Sequence, residues 1–257
     1  MAADAPVFAG VGVALATLFD DRAAVDLDAT AGHAARLVAD GVRAVVVAGS
    51  TGEAPTLSLE ERAVLLTAVR DRVGGEVPVI AGTGAAWTGQ AVTLTLSARR
   101  EGADAALVLS PLRSADPVPY YQAVAEAAGD LPVLAYHFPA MSPPGIPVDV
   151  LPRLPVRGVK DSSGDPDRLL ATVDTYAGDV YVGSSALLTQ AGELGCAGAI
   201  LALANLEPRL CAAAFAGDGD AQRRLAAAHR AATEDFPRGL KQALADRFGT
   251  SPVVRMS

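Results

Sequence analysis

The sequence predicts an α/β fold, a (β/α)8 TIM barrel with a short C-terminal helical extension, on three observations. Eight short runs rich in Val, Ile, Leu and Ala recur along the chain, and longer stretches with helical spacing lie between them. The runs are nearly continuous in apolar residues rather than alternating, as a parallel sheet covered on both faces requires. The chain has 257 residues, and roughly 250 is the length at which a single barrel domain commonly closes. The structural alternative is a doubly wound open sheet. Against it, no GxGxxG turn follows the first strand, and eight evenly spaced units exceed the common nucleotide-binding pattern.

The expected strands cover residues 11–19, 44–49, 77–82, 105–110, 133–138, 158–161, 180–184 and 199–204. Helical spacing covers 28–39, 59–72, 88–100 and 166–176 among others. Ser58 stands where it can cap a helix beginning Leu59-Glu60-Glu61, and Ser163–Asp165 precede Pro166 at a first helical position. From Glu207 onward the strand signal stops, and 208–216, 221–233 and 239–248 read as helices. The barrel is assigned to residues 1–216 and the C-terminal helical extension to 217–257, with no Gly/Ser linker or low-complexity boundary between them.

Composition removes several classes of function. The hydrophobic fraction, 51%, supplies a core and excludes a disordered chain. A net charge of −8 argues against a nucleic-acid surface. Cys196 and Cys211 lack CxxC spacing and read as buried thiols, which excludes a disulfide framework. His33, His137 and His229 are scattered without ligand spacing, so no metal site is expected, and no cofactor is called for. No run of about 18 uncharged apolar residues appears, and MAADAPVFAG lacks a basic start, so the expectation is a cytoplasmic protein without a membrane segment.

In a barrel, chemistry sits at the C-terminal ends of the strands. The polar residues there are Ser50, Thr51 and Glu53 after strand 2, Thr83 after strand 3, Tyr136 in strand 5 and Lys160 in strand 6. Lys160 stands out. Of 21 basic residues only Lys160 and Lys241 are lysines, and the other 19 are arginine. Burying an amine disfavours its charged form, and a neutral amine attacks carbonyls. Arginine stays protonated and cannot form an imine at neutral pH. The bland readings are a strand-end lysine reaching solvent or pairing with Asp161. Lys241, in an Arg-rich helical tail, reads as a surface or helix-packing residue.

Tyr136 would place a phenol beside Lys160, fit to move protons, although a core tyrosine with a satisfied hydroxyl is equally ordinary. Ser50 and Thr51, between glycines, offer hydroxyls and backbone N–H groups suited to a carboxylate. Glu53 reads as a buttress of that loop rather than a base.

Taken together, GSTGE followed by LSLEER, AGTG, YHFP and GVKDSSGD occur in an order that resembles the dihydrodipicolinate synthase/N-acetylneuraminate lyase family of class I, pyruvate-dependent aldolases. The likeness extends through Gly183-Ser184 and Gly198–Asn205 to Gly239-Leu240-Lys241, almost the whole chain. It implies that Lys160 forms a Schiff base with a 2-oxo acid and that Tyr136 shuttles protons. It implies further that Ser50 and Thr51 bind the carboxylate, while Gly183 and Ile200 line the site through backbone groups. A homo-oligomer, dimer or tetramer, is the implied assembly.

Two departures narrow the expected activity. Where the dihydrodipicolinate synthase branch has Pro-Tyr-Tyr after strand 4, this chain has Ser110-Pro111-Leu112-Arg113, with Tyr120-Tyr121 too late to be equated. Where that branch has an arginine after the strand-5 tyrosine, this chain has Met141. The expectation is therefore a lyase that reversibly cleaves a sugar-acid-like 4-hydroxy-2-oxo acid to pyruvate and an aldehyde. Dehydration or hydration of a 2-oxo sugar acid through the same imine, dihydrodipicolinate synthase-like condensation and a non-catalytic 2-oxo-acid-binding protein stay open.

Overall fold

The computed structural model describes residues 5–256. Residues 1–4, part of the stretch read for a basic start, lie outside the described residues, as does Ser257. Eight parallel strands close a barrel in chain order: β1 Gly10–Ala14, β2 Val45–Val47, β3 Val79–Gly82, β4 Ala105–Leu109, β5 Val133–His137, β6 Gly158–Asp161, β7 Asp179–Val182 and β8 Gly198–Leu201, with β8 beside β1. The expected barrel is the observed one.

The first strand is shorter than its apolar run. Residues beyond Ala14 stay buried but leave the ladder. There the Asn205 side chain replaces a neighbouring strand: Ala16 N–H donates to its Oδ1 (3.0 Å), and its Nδ2 donates to Ala14 O (2.7 Å). Asn205 reaches that place because the chain after β8 turns as a 3-10 helix over Leu203–Asn205 instead of extending to 204 as a strand. Buried backbone groups must be paired, and a side-chain amide can do it where the ladder stops.

The helices are α1 Leu27–Ala39, α2 Leu59–Val73, α3 Thr88–Arg100, α4 Val118–Ala128, α5 Pro166–Thr175, α6 Leu188–Glu193, α7 Pro208–Phe215, α8 Gly219–Thr233 and α9 Arg238–Phe248. Ser58 caps α2 in a reciprocal box with Glu61, and Asp165 caps α5, whose first residue is Pro166. One crossover departs from the expected strand–helix pattern. Between β5 and β6 the chain makes only a 3-10 turn, Val148–Arg153. Pro143, Pro144, Pro147, Pro152 and Pro155 crowd that connection, and each removes an N–H donor that an α-helix there would need.

Apolar side chains fill two shells. The larger lies between strands and helices; the smaller, inside the barrel, includes Ile80, Leu107, Leu134, Tyr181 and Ile200. Phe8, just before β1, stacks on Tyr181 at 4.6 Å and accepts its hydroxyl proton through the main-chain carbonyl (2.9 Å), which plugs the N-terminal end. The opposite mouth is left for polar residues. Cys211 is buried as expected, but Cys196 is only half-buried, because it sits in the turn between α6 and β8. Among the described residues no helix is long and apolar enough to cross a membrane.

Candidate active site

Lys160 and Tyr136 are register partners on β6 and β5. Strand alternation turns Lys160 inward, while its neighbours Val159 and Asp161 face the helices. Its Nζ lies 4.3 Å from the centroid of the Tyr136 ring, where the π face attracts a cation. Neither bland reading of Lys160 is observed. The residue is 5% exposed, so it does not reach solvent, and Asp161 is engaged by Arg168 of α5 at 2.6 Å.

Gly183, after β7, has no side chain for a steric reason. A Cβ there would lie 3.0 Å from Lys160 Cε and 1.8 Å from Ser162 Oγ. The loop after β2 brings in Ser50 and the buried Thr51. Lys160, Tyr136, Gly183, Ser50 and Thr51 thus line one cavity of about 260 Å³ at the strand mouths. Ile200 is not brought to it. Its side chain is fully buried in the barrel interior, and Leu201, Ala202 and Leu203 form that part of the cavity wall.

The remaining wall holds groups that sequence reading missed. Ser162, Ser184 and Ser185 follow β6 and β7, and Ser185 Oγ is 2.7 Å from Nδ1 of His229 on α8. Burial pushes the His229 imidazole below its ordinary value, so the pair is neutral at pH 7. Ser184 stands in the Gly183-Ser184 stretch of the resemblance without a role assigned to it, and Ser185 is the next residue. Nothing in the sequence spacing points to His229.

A second cavity, about 330 Å³, opens on the other side of Ser50 and Tyr136, which line both. Met141 and Ser110 face it, together with Arg62. Burial lowers the Arg62 guanidinium to about 10, and its N–H groups donate to the carbonyls of Gly82 (2.9 Å), Leu57 (3.3 Å) and Ala54. Tyr120 and Tyr121 do not replace a strand-4 tyrosine. Their hydroxyls donate to the main-chain carbonyls of Leu109 and Val108, and burial raises both phenols, Tyr120 to about 12.

Behind the Lys160–Tyr136 pair runs a polar brace. His137 Nδ1 accepts from Ile146 N–H (2.8 Å), and Arg168 joins Ile146 O (2.6 Å) to Asp161. The brace ties the proline-rich loop after β5 to the strand that carries Lys160. Burial, with Arg168 adding to it, holds the His137 imidazole near 4, so its Nδ1 is available as an acceptor at neutral pH.

Residues 7–247 match the model of the Dihydrodipicolinate synthetase family. An uncharacterized DapA-like lyase of Halobacterium salinarum is 37% identical over 242 residues, 91% of this chain and 79% of that protein. The 4-hydroxy-tetrahydrodipicolinate synthase of Pseudomonas aeruginosa is 35% identical over 233 residues, 85% of this chain and 80% of that one. Among solved structures, the chloride-inhibited dihydrodipicolinate synthase of Acinetobacter baumannii complexed with pyruvate superposes with a TM-score of 0.87 at 29% identity, covering 97% of this chain and 94% of that one. With its closed barrel and the matching run from residue 7 to residue 247, the chain belongs to the dihydrodipicolinate synthetase family.

Proposed function

We propose that the protein is a class I aldolase that reversibly cleaves a sugar-acid-like 4-hydroxy-2-oxo acid to pyruvate and an aldehyde. The observation that carries this reading is the cavity shared by Lys160, Tyr136, Ser50 and Thr51. A relative of the same fold has been crystallised with pyruvate.

In this reading the substrate carboxylate takes hydrogen bonds from Ser50, Thr51 and the backbone N–H groups of their loop. Lys160 Nζ attacks the C2 carbonyl, and the resulting carbinolamine loses water to give a protonated imine. That cation draws the electron pair of the C3–C4 bond as it breaks. The C4 hydroxyl gives up its proton and becomes the aldehyde carbonyl, and C3 becomes the enamine carbon. Protonation of C3 and addition of water to the imine release pyruvate and restore the amine. Tyr136 carries protons in both stages.

The aldehyde fragment occupies the wall of Ser162, Ser184, Ser185 and His229. That wall offers hydroxyls and a neutral imidazole but no guanidinium for a second carboxylate. A neutral, hydroxylated fragment suits such groups, because a buried carboxylate without a cation is costly. Condensation of the kind named in the Pseudomonas aeruginosa relative is the second reading, favoured by that 35% identity.

Borohydride reduction in the presence of pyruvate tests the imine. A pyruvate adduct should map to Lys160, and folded protein left unmodified there would sink the aldolase reading. Pyruvate release across a panel of 4-hydroxy-2-oxo acids then separates cleavage from condensation, and dehydrated oxo acids would reveal a dehydratase.

A further inference from the structure

The second lysine is not a surface residue. Lys241 on α9 is fully buried and forms an ion pair at 2.5 Å with Glu53, which is also fully buried. Two charges removed from water together need further hydrogen bonds to be tolerated, and here they have them. Lys241 Nζ donates to Val253 O (2.9 Å) and stands 3.9 Å over the Phe19 ring. Glu53 Oε2 accepts from the main-chain N–H groups of Arg255 (2.7 Å) and Met256 (2.6 Å).

The same segment is tied a second time. The Arg255 guanidinium makes a two-pronged pair with Glu61, the partner of the Ser58 cap in the first turn of α2 (2.7 and 3.0 Å), and donates to Ala23 O (2.7 Å). It also lies over Phe19, at 4.5 Å. The chain from Val253 to Met256 therefore crosses behind the loop that presents Ser50 and Thr51. On the barrel side the loop is held by Thr17, whose hydroxyl donates to Gly52 O (2.8 Å). Glu53 itself has a left-handed backbone, φ 55°. A non-glycine residue persists in that conformation where its surroundings over-determine it, and here both carboxylate oxygens are engaged.

We propose that the segment Val253–Met256 is a strap that positions the Ser50–Thr51 loop for its ligand, gripping the buried carboxylate of Glu53 with its main chain and held in place by the Arg255 side chain on Glu61. Glu53 and Arg255 are positioning residues, since neither lines the cavity that holds Lys160. The role assigned to the loop rests on the aldolase reading; the mechanical coupling does not.

The test uses the full chain carrying Arg255→Met, which cuts the tie to Glu61, and Arg255→Lys, which keeps the charge and the fold. Hydrogen–deuterium exchange should rise about tenfold in residues 49–56 of Arg255→Met, with a smaller rise in Arg255→Lys and none in the barrel strands. In pyruvate-dependent borohydride trapping, the concentration for half-maximal adduct should rise about tenfold while the saturated rate stays within about twofold. Loop exchange equal to that of the unaltered protein, or raised uniformly along the chain, would overturn the strap. If Arg255→Met does not fold, Arg255→Lys decides by the same exchange comparison. If the unaltered protein forms no adduct, the aldolase reading falls, and the exchange result still decides the strap.

Discussion

A Cβ on Gly183 would stand 3.0 Å from Lys160 Cε and closer still to Ser162 Oγ, so the missing side chain leaves the space that the Lys160 side chain fills. Gly183→Ala should push Lys160 or Ser162 aside and slow pyruvate-adduct formation about 100-fold, the scale at which small misplacements act. Adding Ser162→Gly removes the nearer obstacle and should restore part of the rate. The rate of borohydride trapping measures both; an unchanged rate in Gly183→Ala would show that the glycine leaves room for nothing.

Tyr136→Phe keeps the ring below Lys160 Nζ and deletes only the hydroxyl. Turnover of the preferred oxo acid should fall about 10²- to 10⁴-fold, the range of a general acid–base group. The thermal midpoint should stay near that of the unaltered protein, since the ring's packing is retained. Steady-state pyruvate release, read beside a melting curve, separates the two effects. Near-normal turnover would remove the phenol from the mechanism.

The sequence made some of this legible and hid the rest for physical reasons. Buried parallel strands are written as apolar runs, and a lysine within one of them is conspicuous in a chain with two lysines. The proline crowding before β6 was readable too, although it ends in a 3-10 turn rather than the expected helix. Pairings created by barrel closure leave no local trace. Ser185 meets His229 across 44 residues, and Arg255 meets Glu61 across 194. Lys241 looked like one more charge in a helical tail because the carboxylate that justifies its burial lies in the loop after β2. Ile200 shows the opposite limit. The resemblance gave it a backbone role at the site, but the cavity wall at the end of β8 is made by Leu201, Ala202 and Leu203.

Asp161 and Arg168 form an ion pair with side-chain exposures of 6% and 14%. Arg168→Met leaves a buried carboxylate without its cation and also loses the bond to Ile146 O, so stability should drop by about 3–5 kcal/mol. Asp161→Asn in the same chain removes the stranded charge and should recover a substantial part of that loss. Urea unfolding of the two variants gives the comparison directly. A single variant as stable as the parent would mean that the brace behind Lys160 contributes nothing to the fold.

His137 sets an acid limit on the same brace. Its imidazole is held near 4 in the folded protein by burial and by Arg168, against an ordinary value of 6.5. Between these values the unfolded chain takes up the proton and the folded chain does not. Stability is therefore fully present above about pH 6.5, falls as the pH is lowered toward 4, and levels off for this group below that. His33, held near 4 chiefly by burial, contributes in the same window. His137→Asn still offers an acceptor to the Ile146 N–H but cannot titrate. Its melting temperature should decline less than that of the parent between pH 6.5 and 4, with the residual slope in this window owed in part to His33. Thermal melts at half-unit intervals measure the two slopes. Parallel slopes would mean that His137 takes up its proton equally easily in the folded and unfolded chains.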